Sequence, residues 1–328
     1  MISRRRFLAI TATGVGAPLP TAAQPAPTLA RVGGLATYPR APRTQGSPNL
    51  SVFDEQLKNL GFVEGRNLVI DWRYSSDSDR LRRLADELIA LGVQVIFAGD
   101  PYALRASRAA TATTPIVAYD MESDPVAEGF VVSLARPGGN VTGIFLDQVE
   151  ISAKQLELLK EMVPRLARVA VLWDSPLAAS QFEAVKSAAR TLNITVTSVV
   201  WRGPAQLPVQ FHSAMRDGAR GLLVLSSPLI NSERPAVVDA TLRSHMPSIN
   251  LFHSFARDGG LLAYGPIQAA DYRKAARLVA KILGGARPGD LPIERPDRFE
   301  LVLNARTAKA LGLTVPPSLL MRADQVIE

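Results

Sequence analysis

The 328 residues contain no cysteine and only three histidines. The first absence excludes disulfides, zinc–thiolate sites, iron–sulfur clusters and a cysteine nucleophile. The second leaves no histidine-built metal site, since His212, His245 and His253 are scattered along the chain. No stretch of 18 apolar residues occurs, so no spanning helix is expected. Charge blocks are missing too. The formal net charge is +7, but Arg4, Arg5 and Arg6 contribute three of those charges at the extreme N-terminus. Without residues 1–23 the balance is 34 basic to 30 acidic residues. That mild excess excludes a nucleic-acid-binding surface built on bulk charge.

Catalytic and nucleotide signatures are absent as well. There is no Walker loop and no dinucleotide fingerprint, and Gly33-Gly34 after the first strand is too short for either. His-Glu-x-x-His and the Gly-x-Ser-x-Gly elbow do not occur. A Ser–His–Asp triad has no local support. The Asp77/Asp79 and Asp86/Glu87 pairs and Arg82/Arg83 read as a solvated helix surface. What remains is an ordinary globular composition, 47% hydrophobic and 20% charged, in a chain long enough for two lobes of about 120–150 residues each.

The N-terminus reads as an address. Ser3-Arg4-Arg5-Arg6-Phe7-Leu8 is followed by a weakly apolar run, Ala9 to Leu19, and then by Pro20-Thr21-Ala22-Ala23-Gln24. A basic start, a short apolar middle and a small-residue cleavage site make an export signal. The paired arginines and the low hydrophobicity of the middle favour the twin-arginine route. Cleavage is expected after Ala23. No cysteine follows, which excludes a lipoprotein anchor, so the mature chain is expected in the periplasm without a membrane anchor of its own.

From residue 31 onward, strand and helix patterns alternate. Arg31–Ala36, Leu68–Tyr74, Val93–Phe97 and Pro115–Tyr119 read as strands. The stripes Leu50, Phe53, Leu57, Leu60 and Leu81, Leu84, Ala85, Leu88 have helical spacing. After Pro137-Gly138-Gly139-Asn140 the rhythm restarts, with strands at Val141–Phe145, Arg168–Trp173, Ile194–Val200, Gly221–Leu225, Ser248–Phe252 and Leu261–Tyr264. Helices are expected at 152–163, 179–192, 205–217, 232–244 and 269–283. This pattern predicts an α/β fold of two doubly wound parallel-sheet lobes. Ligands of open parallel sheets bind beyond the carboxyl ends of the strands, and two facing lobes make a cleft there.

The strand exits carry Thr37, Tyr38, Gly99, Asp100, Tyr102, Asp120, Asp124, Trp173, Asp174, Ser175, Ser226, Ser227, Asn250 and Tyr264. The set is polar and aromatic, with no acid–base pair for catalysis. It suits hydrogen-bonded capture of a small molecule, and Tyr38, Tyr102, Tyr119, Trp173 and Tyr264 could stack a ring. Asp100-Pro101 and Ser175-Pro176 have the form of helix caps with proline in the first turn.

Three stretches carry a family likeness: Leu57-Lys-Asn-Leu-Gly-Phe-Val-Glu-Gly-Arg-Asn67, the run Asp124-Pro-Val-Ala-Glu-Gly through Pro137-Gly-Gly-Asn-Val-Thr-Gly143, and Gly259-Gly-Leu-Leu-Ala-Tyr-Gly-Pro266 through Leu291-Pro-Ile-Glu-Arg-Pro296 to the C-terminal segment from Ala308 to Glu328. The chain resembles ABC-transporter substrate-binding proteins of the tryptophan/tyrosine-binding type. That resemblance implies a type I periplasmic-binding-protein fold with a three-segment hinge, crossing near Asn140–Ile151, Tyr264–Ile267 and Pro296–Phe299. The implied lobes are 31–145 plus 267–296 and 146–264 plus 299–328, with the ligand cleft between them. It also implies a monomeric receptor that is not an enzyme, needs no cofactor, and delivers an amino acid or related metabolite to ABC permease membrane subunits. A sensory binding protein facing a membrane kinase or chemoreceptor, or a periplasmic enzyme, would be the alternatives.

The ligand-binding residues expected are Thr37, Tyr38, Gly99, Asp100, Tyr102, Asp120, Trp173, Asp174, Ser226, Ser227, Asn250 and Tyr264. The family commonly has Gly-Thr-Pro where this chain has Gly99-Asp100-Pro101, and Asn-Pro where it has Asp174-Ser175-Pro176. Two added carboxylates would favour an amine, a hydroxyl-rich ligand or a cation.

Overall fold

A computed structural model describes residues 29–37, 48–146, 148–174 and 177–328. The export signal at 1–23, Tyr38 and the Ser175-Pro176 cap lie outside the described residues.

The first half builds β1 (Ala30–Ala36), α1 (Pro48–Asn59), β2 (Leu68–Tyr74), α2 (Ser78–Ala90), β3 (Val95–Ala98), α3 (Pro101–Ala110), β4 (Ile116–Asp120) and β5 (Val141–Phe145). Its five strands pair in parallel in the order β2-β1-β3-β4-β5. Period-2 alternation along the strands divides the core. Val32, Val95, Phe97 and Val117 pack on one face with Phe53 and Leu57 of α1. Leu35, Ile96, Ala98 and Ile116 pack on the other with Leu81, Leu84 and Leu88 of α2 and Leu104 of α3. Gly34 sits opposite Trp72 in the register, and a Cβ there would lie 2.3 Å from the indole. Gly34 therefore serves close packing of the strand pair, while Gly33 faces Leu88 of α2.

The second half continues with α4 (Val149–Met162), β6 (Arg168–Trp173), α5 (Ala179–Thr191), β7 (Thr195–Val200), α6 (Leu207–Arg216), β8 (Leu222–Val224), α7 (Pro228–Ser232), α8 (Arg234–Arg243), β9 (Ser248–Asn250), α9 (His253–Arg257) and β10 (Leu262–Pro266). The chain then makes α10 (Gln268–Leu283), β11 (Phe299–Asn304), α11 (Ala305–Ala310), α12 (Pro317–Arg322) and β12 (Gln325–Ile327). The second sheet runs β12-β11-β10-β9-β8-β6-β7. Its core includes Leu156, Leu159, Val169, Val171 and Leu223 on one face, and Ala170, Leu172, Leu222 and Phe211 on the other.

The chain passes between the sheets three times: from β5 to α4, from β10 to α10, and from residues 295–298 into β11. α10 returns to the first sheet, where Tyr272, Ala275 and Val279 join the core of α1. Lys274 fastens the third passage by donating to Arg295 O at 2.8 Å and pairing with Asp297 at 2.9 Å. β11 lies antiparallel to β10, an exception in sheets otherwise paired in parallel. The geometry requires it, because β11 enters the second sheet from the end at which β10 leaves.

Two short helices go beyond the sequence reading. The helix expected at 232–244 is α8, and α7 precedes it. The strand expected to reach Phe252 ends at Asn250, and α9 follows it. Among the described residues no helix is long and apolar enough to cross a membrane.

Candidate functional site

The carboxyl ends of both sheets face each other, and polar groups from the two sides meet there. On the first side, the Asp100 side chain caps α3. One oxygen accepts from Ala103 N at 2.9 Å and the other from Thr37 N at 2.6 Å. The capping geometry follows from Asp-Pro at a helix start: the proline needs no amide partner and the carboxylate satisfies the next free one. Burial of this carboxyl pushes its pKa up, against the pull of those amides.

β4 ends in a tight turn of the same kind. One Asp120 oxygen accepts from Glu122 N at 2.9 Å and Ser123 N at 2.8 Å. Its Oδ2 has no hydrogen-bond partner although the residue is fully buried. The turn throws Glu122 toward the second lobe. Burial, and then the Asp120 carboxylate, push the Glu122 pKa up to about 8. Burial raises Asp120 as well. Two adjacent buried acids cannot both ionise cheaply.

On the second side, Asp174 follows the last residue of β6. Its Oδ2 accepts from Ser227 Oγ at 2.8 Å and, across the cleft, from Tyr102 Oη at 2.5 Å. Ser226 Oγ reaches across in the other direction to Glu122 Oε1 at 2.5 Å. Burial and the bond to Asp174 raise the Tyr102 pKa, so its hydroxyl keeps its proton. Gln148, on the first crossing, donates to Met121 O. The two halves are thus tied by hydrogen bonds at their strand ends.

Beside these ties lies a small cavity of about 20 Å³, partly continuous with solvent. Gly99, Asp100, Tyr119, Met121 and Glu122 line it from the first sheet, Pro228, Asn231 and Phe252 from the second, and Gln268 from the start of α10. The described residues contain no group of three acidic or histidine side chains placed to hold a metal ion.

Of the residues expected from the sequence, the structure gathers Thr37, Gly99, Asp100, Tyr102, Asp120, Asp174, Ser226 and Ser227 at this junction. Of these, Gly99 and Asp100 line the cavity; Trp173, Asn250 and Tyr264 make other contacts. The Trp173 ring stacks on Phe182 at 4.4 Å and donates to Ser198. Asn250 is spent on Val224 O and Phe252 N. Tyr264 stacks on Phe299 at 6.2 Å. Sequence reasoning missed Glu122, Asn231, Phe252 and Gln268. Glu122 lies two residues beyond a strand exit that had been identified, and its acidic character next to Asp120 was the available signal. Gln268 had none, because a chain crossing brings it in, and Phe252 lies just past β9, whose end was expected two residues later.

The model of the ABC transporter substrate binding protein family matches residues 49–327. The chain belongs to that family. A tyrosine-binding protein of Clostridioides difficile is 28% identical over 268 residues, covering 80% of this chain and 75% of that protein. Among solved structures, a conserved domain protein from Vibrio cholerae superposes with a TM-score of 0.81 at 24% identity, covering 91% of this chain and all of that one. An ABC domain from Streptococcus pneumoniae in complex with L-Trp gives 0.80 at 24% identity, covering 92% and 100%. These likenesses fix the fold of this family member as the two-lobed, type I periplasmic-binding-protein arrangement.

Proposed function

We propose that this family member is an exported solute receptor that captures a small organic molecule between its two lobes and hands it to an ABC permease. The ligand is an amino acid or a related metabolite. The lobes are 31–145 plus 267–296 and 146–264 plus 299–328, and the three crossing segments form the hinge on which they close. The twin-arginine signal at residues 1–23 places the mature chain, a monomer, in the periplasm.

One observation carries this reading. Polar groups at the strand ends of both sheets bond to each other beside a cavity that both sheets line, as Tyr102–Asp174 and Ser226–Glu122 illustrate. A molecule caught at such a junction is held by both lobes, and a receptor of this kind releases it unchanged. The names of the tyrosine-binding relative and of the L-Trp complex support the amino-acid class.

The test is calorimetry and thermal unfolding of the protein, refolded to remove carried-over ligand, against amino acids, amines, sugars and nucleosides. A true ligand at 100 times its dissociation constant adds about 2.7 kcal/mol of stability. Scattering should show a more compact particle with that ligand. A panel that neither stabilises nor compacts the protein, or a ligand that is chemically converted, counts against the reading.

A further inference from the structure

The cavity has an uneven chemistry. Asp100 and Glu122 are both in its wall, and no Lys, Arg or His is. Both acids are almost fully buried. Asp120, two residues before Glu122 in the turn after β4, is completely buried and keeps Oδ2 unpartnered. The nearby cation, Arg105, is turned to Glu128 at 2.9 Å and to Pro101 O. An anionic ligand would therefore meet two acids and no lining cation.

The usual remedy for a ligand carboxylate is a helix N-terminus with free amides. Here that remedy is occupied. Asp100 takes Ala103 N of the first turn of α3 and Thr37 N beyond β1. A carboxylate already sits where a ligand carboxylate would land. The remaining lining groups bring no cation of their own: Tyr119, Met121 and Phe252 are uncharged, and the amide oxygens of Asn231 and Gln268 already accept from Arg234 and Asn49.

We infer that the cleft selects ligands presenting a primary ammonium group to the first sheet, with Glu122 as its counter-ion and Asp100 excluding a ligand carboxylate from the start of α3. This rests on the receptor reading and narrows its ligand class. An amino acid fits only with its ammonium, or a cationic side chain, on this wall and its carboxylate elsewhere.

The charge of Glu122 depends on its neighbours. The groups facing it are Asp120 and Asp100, which both raise its pKa, and the hydroxyls of Ser226 and Tyr102. With the strand ends together its pKa is about 8, so an empty closed cleft disfavours the Glu122 carboxylate and an ammonium beside it restores that carboxylate.

The experiment compares skeletons that differ only in charged groups: tyramine, tyrosine and 3-(4-hydroxyphenyl)propanoate, and butylamine, norvaline and pentanoate. Neutral sugars and nucleosides complete the set. Binding is measured by calorimetry at pH 6.5. The expected result is that ammonium-bearing members bind and deaminated acids do not. Glu122→Gln, which keeps the size and the Ser226 contact, should weaken amine binding tenfold or more. Its unfolding midpoint at pH 7 should be no lower than the parent's. Asp100→Thr, which can still cap α3 but frees Thr37 N, should admit the deaminated acids.

Deaminated acids that bind as well as their amines would overturn the inference, as would a Glu122→Gln protein with unchanged affinity. If only sugars or nucleosides bind, the inference falls and the receptor reading stands. If nothing in any class binds, both fall.

Discussion

Tyr102 is the residue of the first lobe whose hydroxyl reaches Asp174 of the second, at 2.5 Å. Tyr102→Phe removes that hydroxyl and leaves the ring. A hydrogen bond to a charged acceptor contributes about 1.5–3 kcal/mol. Asp174 keeps Ser227 at 2.8 Å, so the loss falls to about 1–2 kcal/mol, a factor of roughly 5–30 in the closed-to-open ratio. If the closed form holds the ligand and the open form dominates the free protein, the apparent dissociation constant rises by the same factor. The bond joins the lobes and supports neither core, so global unfolding should move by less than about 0.5 kcal/mol. Calorimetric affinity and small-angle scattering, with unfolding as the control, check this. The expected outcome is weaker binding and a larger radius of gyration with unfolding unchanged. An unaltered affinity together with an unaltered scattering profile would sink the reasoning, because the contact would then contribute nothing to closure.

Other perturbations separate site from scaffold. Gly265→Ala, on the second crossing, would place a Cβ 2.1 Å from Leu251 O; backbone must move, and chemical denaturation should show a loss of about 1–3 kcal/mol. Ser226→Ala leaves Glu122 Oε1 without its cross-lobe donor, which should cost about 1–3 kcal/mol of closure, read as weaker ligand binding with unfolding little changed. Asp271 is buried, and that burial raises its pKa from 3.8 to about 7. The folded state thus binds this proton more tightly than the unfolded one, so its contribution is present below about pH 4 and is lost as pH rises to 7. Asp271→Asn should therefore stabilise the protein at pH 8, on the order of 2 kcal/mol, and lose that advantage by pH 4. Lys274 keeps Asp297 and Arg295 O in that variant. Denaturant curves at the two pH values test the sign.

The fold was legible where one periodicity ruled a whole element. Leu81, Leu84, Ala85 and Leu88 are all buried on α2, as their spacing required. The short segments α7 and α9 were not legible, because five residues carry too little period to distinguish a helical turn from a strand's end. The site was legible to the level of which strand exits matter, and less so at the level of single residues. Side chains alternate along a strand, so an error of one position in its end exchanges the residue facing the cleft for one facing a helix. Trp173 and Asp174 show this: the first, still in β6, turns to Phe182, and the second reaches the junction. The turn after β4 hid Glu122 for a related reason. Its direction is set by Asp120 folding back on two amides, a local choice that hydrophobic pattern does not record.

The acids at the junction also bear on why capture and closure should go together. With the lobes apart, Glu122 would face water and titrate near its ordinary 4.5; with the strand ends together its pKa is about 8. Linkage turns that difference into a closing cost of roughly 3 kcal/mol at neutral pH. The Tyr102–Asp174 bond offsets about 1–2 kcal/mol of it. By this reckoning closure without a ligand is unfavourable, and a ligand can shift the equilibrium only by its differential affinity for the closed form. An ammonium meeting Glu122 supplies that difference where the cost arises, since it stabilises the carboxylate that closure desolvates. A carboxylate ligand would add to the cost instead. The same buried charge would then set both the selectivity of the cleft and the dependence of closure on its occupant.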